Sequence, residues 1–352
     1  MFLPDYQTRV IDRLFDSPDL FVPMFDDEKE AALIVPMTRK SYSQTVFLDW
    51  RTVRAAPAAE LVPIKSIERA LREQNLSQRP LRFIFHSAFA GSTLMCRFLD
   101  HPGKCLPYKE PFILNQVCMD RRDSMVSGGP VDQTVNLDLV LALLGRSYAR
   151  NEQVVIKPTD SCINIARELL TYRPEYTGII LYLPLDEFVV ASLKRPDRRE
   201  FLKNNVPRTR VDLVAMDLLP DVDVDRLSEG EAAAFVWLGL MVYYLDLLGD
   251  TDLRVRSLDA ATFYRDPSGT LTALIDFFDL PLTASDIEDA IDQNLFARDS
   301  KDPSVRYDAS SKAAEDAQLH ARLSREFDDA RAWLDRHAAG MQIPERLPRS
   351  LA

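Results

Sequence analysis

The chain is 352 residues long, 46% hydrophobic, with a formal net charge of −11: enough apolar material for one large core with appendages or two small ones, and no sign of whole-chain disorder. Its acidity argues against general nucleic-acid binding, which depends on neutralising phosphates with Lys and Arg, so any small anionic ligand would need a locally basic pocket. Cys96, Cys105, Cys118 and Cys162 form no CxxC pair and no cluster with histidine, so no metal site is expected; with no signal peptide in MFLPDYQTRV they read as reduced core thiols of a cytoplasmic protein.

Residues 1–79 carry no chemical motif. Ala31 to Pro36 and Thr45 to Trp50 read as two short strands around a polar turn at Thr38 to Ser43, and Pro63 to Gln74 as a helix. The region is expected to serve packing, oligomerisation or the capping of a site, with a homodimer among the expected assemblies.

The central stretch is LRFIFHSAFAGSTLMCRFLDHPGKCLPYKEP, from Leu81 to Pro111. Leu81 to Phe85 is an apolar strand ending at His86. A small-residue loop follows through Gly91, Ser92 and Thr93, and then Leu94, Met95, Phe98 and Leu99 recur at helical spacing. Strand, loop and helix have the layout of an anion cradle, because the first amides of a helix lack intrahelical partners and the macrodipole adds positive charge; an ordinary strand-to-helix turn is the equal alternative, since one glycine and two hydroxyls are common. As a Walker A loop the match fails: Ser92 stands where the phosphate-bridging lysine belongs, which argues against an ATP-dependent kinase.

Farther on, Phe112 to Cys118 reads as a helix and Arg121 to Gln133 as a polar loop broken by Gly128, Gly129 and Pro130. Leu137 to Tyr148 reads as an apolar helix, Val154 to Ile156 as a strand ending at Lys157-Pro158, Cys162 to Leu170 as a helix and Ile179 to Leu183 as a strand. Lys194, Arg195, Arg198, Arg199 and Lys203 form a basic run. Ser228 and Glu231 make a capping box ahead of a core helix whose apolar run, Ala232 to Leu245, is shorter than the ~20 residues of a membrane span. Leu253 to Arg256 reads as another strand, Leu271 to Phe278 as a helix, and Ser311 to His337 as an amphipathic helix.

The order of these elements, and Ala90-Gly91-Ser92-Thr93-Leu94-Met95 followed by His101-Pro102 and Glu110-Pro111, resembles the sulfotransferases that use 3′-phosphoadenosine 5′-phosphosulfate (PAPS). The resemblance spans residues 81–300 and departs at two family cations: Phe89 stands at the basic residue of the loop, and Tyr182 or Leu183 at the arginine that closes the later strand.

It implies a three-layer α/β sandwich with a mainly parallel central sheet, P-loop NTPase-like, over residues 80–300, with 1–79 as an N-terminal extension and 301–352 as a C-terminal loop and helix. It implies PAPS as co-substrate, no metal, and an acceptor hydroxyl or amine on a small molecule or glycan. Ala90, Gly91, Ser92, Thr93, Leu94, Ser192, Lys194 and Lys301 would hold the nucleotide. Glu110 would be the base, with His86 as second choice, and Lys157 the charge stabiliser. The alternative is a sulfotransferase-like fold without turnover that binds or scaffolds a partner.

Overall fold

Five short segments, buried along most or all of their length, decide the architecture of this computed structural model, which describes residues 5–74, 79–128, 136–219, 221–292 and 318–352. In chain order the elements begin with α1 (Asp5–Leu14), β1 (Leu20–Asp26), β2 (Ala31–Pro36), α2 (Arg39–Gln44), α3 (Trp50–Ala55), β3 (Glu60–Pro63) and α4 (Ile64–Glu73). The central part comprises β4 (Leu81–His86), α5 (Ser92–Leu99), β5 (Cys105–Lys109), α6 (Phe112–Ser127), α7 (Leu137–Leu144), β6 (Gln153–Lys157), a 3₁₀ turn at Asp160–Ile165, α8 (Ala166–Thr171) and β7 (Thr177–Tyr182). Then come α9 (Leu185–Leu193), α10 (Pro196–Ala215), α11 (Glu229–Gly249), β8 (Val255–Asp259), α12 (Ala260–Arg265), α13 (Pro267–Phe278), α14 (Ala284–Asp292) and α15 (Ser324–His337).

Strands β4 to β8 form one sheet in the order β5-β6-β4-β7-β8, each neighbouring pair parallel. Parallel strands covered on both faces need near-continuous rather than alternating apolar runs; Thr177–Tyr182 presents one, and Leu81–His86 does so except for Arg82, whose buried guanidinium donates to the carbonyls of Pro80 and Phe278, and the terminal His86. Helix α5 covers one face with α14 against it, while α6, α8, α10 and α11 gather around the 3₁₀ turn after β6. The fold is therefore a three-layer α/β sandwich with a five-stranded parallel sheet. Because the chain leaves β4 for the far edge and returns through β6, the strand order reverses around β4, and an open crevice is expected at its C-terminal end.

Strand β5 is the core strand that reading the sequence passed over. Its five residues include Pro107, which interrupts a strand pattern, and the proline is tolerated because β5 is an edge strand.

The N-terminal region forms a separate antiparallel sheet, β1-β2-β3. Thr45 to Trp50 is not a strand and Thr38 to Ser43 is not a turn. The Thr38 hydroxyl accepts the Ser41 amide and the Asp49 carboxylate that of Arg51, so two short helices start there and β3 takes the third place in the sheet. This region is stitched to the central sheet. Gln116 of α6 exchanges two hydrogen bonds with the backbone of Phe25, at 2.8 and 2.9 Å, and the Arg146 guanidinium donates to the carbonyls of Leu14, Ser17 and Leu20.

Two other expectations change. Arg121–Ser127 continues α6, which stops at Gly128 in a left-handed conformation (φ 62°); Gly129 to Gln133 lie outside the described residues. The basic run Arg198, Arg199 and Lys203 belongs to the long helix α10.

Helix α11 is long and apolar enough to cross a membrane by composition, yet here 72% of its most apolar window is buried inside the fold. Its capping box forms as expected. Helix α15 docks on it through Phe327, Ala330 and Trp333; a Cβ at Gly230 would lie 2.2 Å from the Glu326 carbonyl oxygen, so only glycine permits that approach. The C-terminal tail then bridges the outer edge of β8, with the Ser257 amide bonded to Arg349 and the Leu351 amide to Ser257.

Candidate functional site

The loop after β4 carries three residues in the left-handed region, Ala88 (φ 61°), Phe89 (φ 51°) and Gly91 (φ 93°). Two of the three are not glycine, so surrounding contacts must hold them there. The Ala88 amide donates to His86 Nδ1 (3.0 Å), while His86 Nε2 meets the Pro158 carbonyl (3.0 Å), an arrangement that suits the neutral ring protonated at Nε2. The Ser87 amide donates to Leu181, and the Ser87 hydroxyl accepts the Leu183 amide (3.0 Å), tying the loop to the end of β7.

Gly91 then caps α5 with no side-chain hydrogen bond, leaving the first amides of the helix without a side-chain partner. Ser92 and Thr93 are buried and, among the described residues, their hydroxyls have no partner. Ala90 and Leu94 are buried in the apolar core and anchor the turn. The Tyr264 hydroxyl of α12 lies 2.6 Å from where a Cβ on Gly91 would stand, so a phenol rests over the glycine.

Beside this loop the ends of β4, β5 and β6 bring His86, Glu110 and Lys157 together. Lys157 has no exposed side-chain surface, and its ammonium contacts Glu110 Oε1; His86 Nε2 is 4.0 Å from the same oxygen. Glu110 has a left-handed backbone (φ 51°), and its amide donates to the Lys157 carbonyl (2.7 Å), so backbone and side chain lock the two residues twice. Lys109, one residue earlier, is engaged elsewhere: its ammonium donates to the Ser43 carbonyl (3.1 Å), and burial pulls its pKa below the ordinary lysine value.

The N-terminal region reaches this cluster, which its sequence gave no sign of. The Leu48 amide bonds to the Lys109 carbonyl (2.8 Å) and the Phe112 amide to the Leu48 carbonyl (2.9 Å), bracketing Glu110. The Phe47 ring consequently lies 5.3 Å from the Lys157 ammonium and 4.8 Å from the Arg51 guanidinium. Arg51 is held charged chiefly by its hydrogen bond to Asp49, with attraction from Glu110 adding to the effect.

Phe89 does not plug the loop. Its ring packs edge-on to Phe201 of α10 (5.0 Å between centroids) and carries the Arg198 guanidinium at 4.5 Å. A cation thus stands against the residue where the resemblance led us to miss one. Arg198 also donates to the Ala191 carbonyl (3.0 Å), next to Ser192, whose fully buried hydroxyl has no hydrogen-bond partner among the described residues. Lys194 is half-buried at the end of α9. Arg195 pairs with Asp197 and Arg199 with Glu229. Tyr182 and Leu183 serve packing: the Tyr182 hydroxyl accepts the Leu347 amide, and the Leu183 carbonyl accepts the Trp237 indole. Lys301 lies outside the described residues.

One further carboxylate was not foreseen. Asp160, three residues beyond Lys157, is half-buried, and burial followed by repulsion from Glu110 pushes its pKa up to about 6. A strand-end motif of Lys-Pro-Thr-Asp was legible, but nothing in it distinguished this aspartate from a helix cap.

No family model matches the chain, and no curated protein does. Among solved structures it is similar to a sulfotransferase from Alicyclobacillus acidocaldarius, at 18% identity and a TM-score of 0.37 over 74% of this chain and 96% of that one. A superposition this loose leaves the architecture to rest on the strand order described above.

Proposed function

We propose that this chain is a sulfotransferase-like enzyme that moves a sulfuryl group from PAPS to a hydroxyl or amine of its acceptor. The observation that carries the reading is the buried Lys157–Glu110 pair at the strand ends beside the N-terminus of α5, which no side chain caps by a hydrogen bond. The amides and hydroxyls of Ser92 and Thr93 offer donors to a 5′-phosphosulfate, and Ser192 with Arg198 offers a donor and a cation to the 3′-phosphate.

Sulfuryl transfer asks for in-line positioning, a base for the acceptor proton and stabilisation of charge on the departing phosphate oxygen. In the unliganded fold Glu110 holds Lys157. A dianionic donor draws the lysine charge to itself and releases the carboxylate. The acceptor oxygen or nitrogen then bonds to sulfur as the sulfur–oxygen bond to the phosphate breaks. The acceptor proton goes to Glu110, and the new negative charge on adenosine 3′,5′-bisphosphate faces Lys157 and the α5 dipole. With both ring nitrogens on backbone groups, His86 braces the loop and leaves the proton to Glu110.

Calorimetry with adenosine 3′,5′-bisphosphate tests this. The native chain should bind it, and the double substitution Ser92→Ala, Thr93→Ala should remove the heat. Absence of binding at millimolar nucleotide would leave only the scaffolding alternative.

A further inference from the structure

Between the 3₁₀ turn that follows β6 and the facing sides of α10 and α11, starting at Asp160 three residues beyond Lys157, lies a partly open cleft. It offers about 20 Å³ to a small polar head group and is partly open to solvent, where the rest of a longer ligand can lie. Two features of sequence shape it. Pro207 interrupts the hydrogen-bond ladder inside α10, one residue before Arg208. Gly239 of α11 lets that helix come close, since a Cβ there would meet Thr209 Cγ2 at 2.5 Å.

Four charged side chains line the cleft, and two of them cancel. The Arg122 guanidinium makes a two-pronged pair with Asp212 (2.8 and 3.0 Å) and donates to the Ser161 carbonyl (2.5 Å). Asp160 and Arg208 remain. Among the described residues neither has an ion-pair partner, although each lies in the electrostatic field of the other. Opposite charges that face one cleft without touching leave a place for a ligand that bridges them. A half-buried carboxylate without a cation is otherwise unfavourable, so the fold keeps it at a cost. Ile163, Val236 and Leu240 supply an apolar wall for a short carbon skeleton.

We propose that this cleft binds the acceptor, and that the acceptor is a small hydroxylated zwitterion with its ammonium on Asp160 and its carboxylate on Arg208. Asp160 follows Lys157, the ion-pair partner of Glu110, by three residues, which puts the acceptor's ammonium on the segment that leaves the pair. The identification as acceptor rests on the sulfuryl-transfer reading; the binding itself does not.

Calorimetry on the full chain decides it, with L-serine and L-tyrosine as probes and ethanolamine and tyramine as the matching amines that lack the carboxylate. At least one amino acid should bind, with its amine about 10-fold weaker. Arg208→Gln, an exposed substitution, should erase that difference while leaving adenosine 3′,5′-bisphosphate binding intact, and Asp160→Asn should weaken amino acid and amine alike. If neither amino acid binds at about 10 mM, or if the difference survives Arg208→Gln, the proposal is wrong. An amino acid that binds to a chain with no affinity for the nucleotide would retain the cleft and overturn the sulfuryl-transfer reading instead.

Discussion

Lys157 is a lysine with no exposed side-chain surface whose ion-pair partner is Glu110, so its charge is tolerable only while that carboxylate stays. Removing one member of a buried pair strands the other. Glu110→Ala should therefore cost about 3 kcal/mol, read as a lower urea midpoint, and Glu110→Gln less because an acceptor oxygen remains. Replacing both, Glu110→Leu with Lys157→Met, should recover most of the stability without restoring nucleotide binding. A loss from Glu110→Ala that matches an ordinary surface substitution would mean that water reaches the ammonium. Asp160 makes the opposite kind of prediction. Its folded pKa of about 6 lies above the ordinary 3.8, so the fold favours the protonated acid. Its contribution to stability is then full below about pH 4 and is lost as pH rises through about 6. Asp160→Asn should be more stable than the native chain above pH 6 and indistinguishable from it near pH 4; a native chain that is the more stable at pH 8 would contradict this.

At the scale of elements, the loop between β4 and α5 shows a local requirement that the residue pattern alone could only suggest. Gly91 at φ 93° is the position in that loop where an added side chain would meet both a conformational penalty and a neighbour at 2.6 Å. The neighbour is the tip of the Tyr264 side chain, which can swing away, so the lasting cost of Gly91→Ala is the backbone, about 1–2 kcal/mol. That loss should persist in a Tyr264→Phe background. If thermal melts show it vanishing there, steric contact and not conformation sets the requirement. Helix caps are the other local device: Thr38 and Asp49 turned an apparent strand and turn into α2 and α3, and so placed Phe47 against the Lys157 ammonium and Arg51 on Phe47. Val46 and Phe47 read as β-formers, but two satisfied N-caps outweighed that preference.

Across the whole molecule, both chain ends are tied to the central sheet. The Arg349 guanidinium donates to the carbonyls of Leu248, Asp250 and Leu253, closing the turn that leads from α11 into β8. Arg349→Ala leaves those acceptors to water or to nothing and should cost about 1–3 kcal/mol, lowering the melting temperature by several degrees. An unchanged melt would show that the tail adds nothing to the edge it covers.

Much of this architecture could be read from the residues. Val154 to Ile156 and Ile179 to Leu183 are continuous apolar runs and Leu81 to Phe85 is broken only by Arg82, and such runs make strands buried on both faces; Ser228 with Glu231 marked the start of α11. The small-residue loop and the strand-end positions of His86 and Lys157 were legible for the same reason, since local backbone chemistry sets where strands stop and helices begin, whereas Glu110 was singled out only by the family resemblance and its place at the end of β5 was not legible. What tertiary structure alone decided is which charges meet. That Lys157 takes Glu110, that Arg198 comes to Phe89, that Phe47 reaches the cluster from the connection between α2 and α3, and that Asp160 and Arg208 face one cleft unpaired among the described residues all depend on segments up to about a hundred residues apart. Periodicity and caps act within a few residues of chain, whereas a charge finds its partner through space, across contacts that the folded core alone creates.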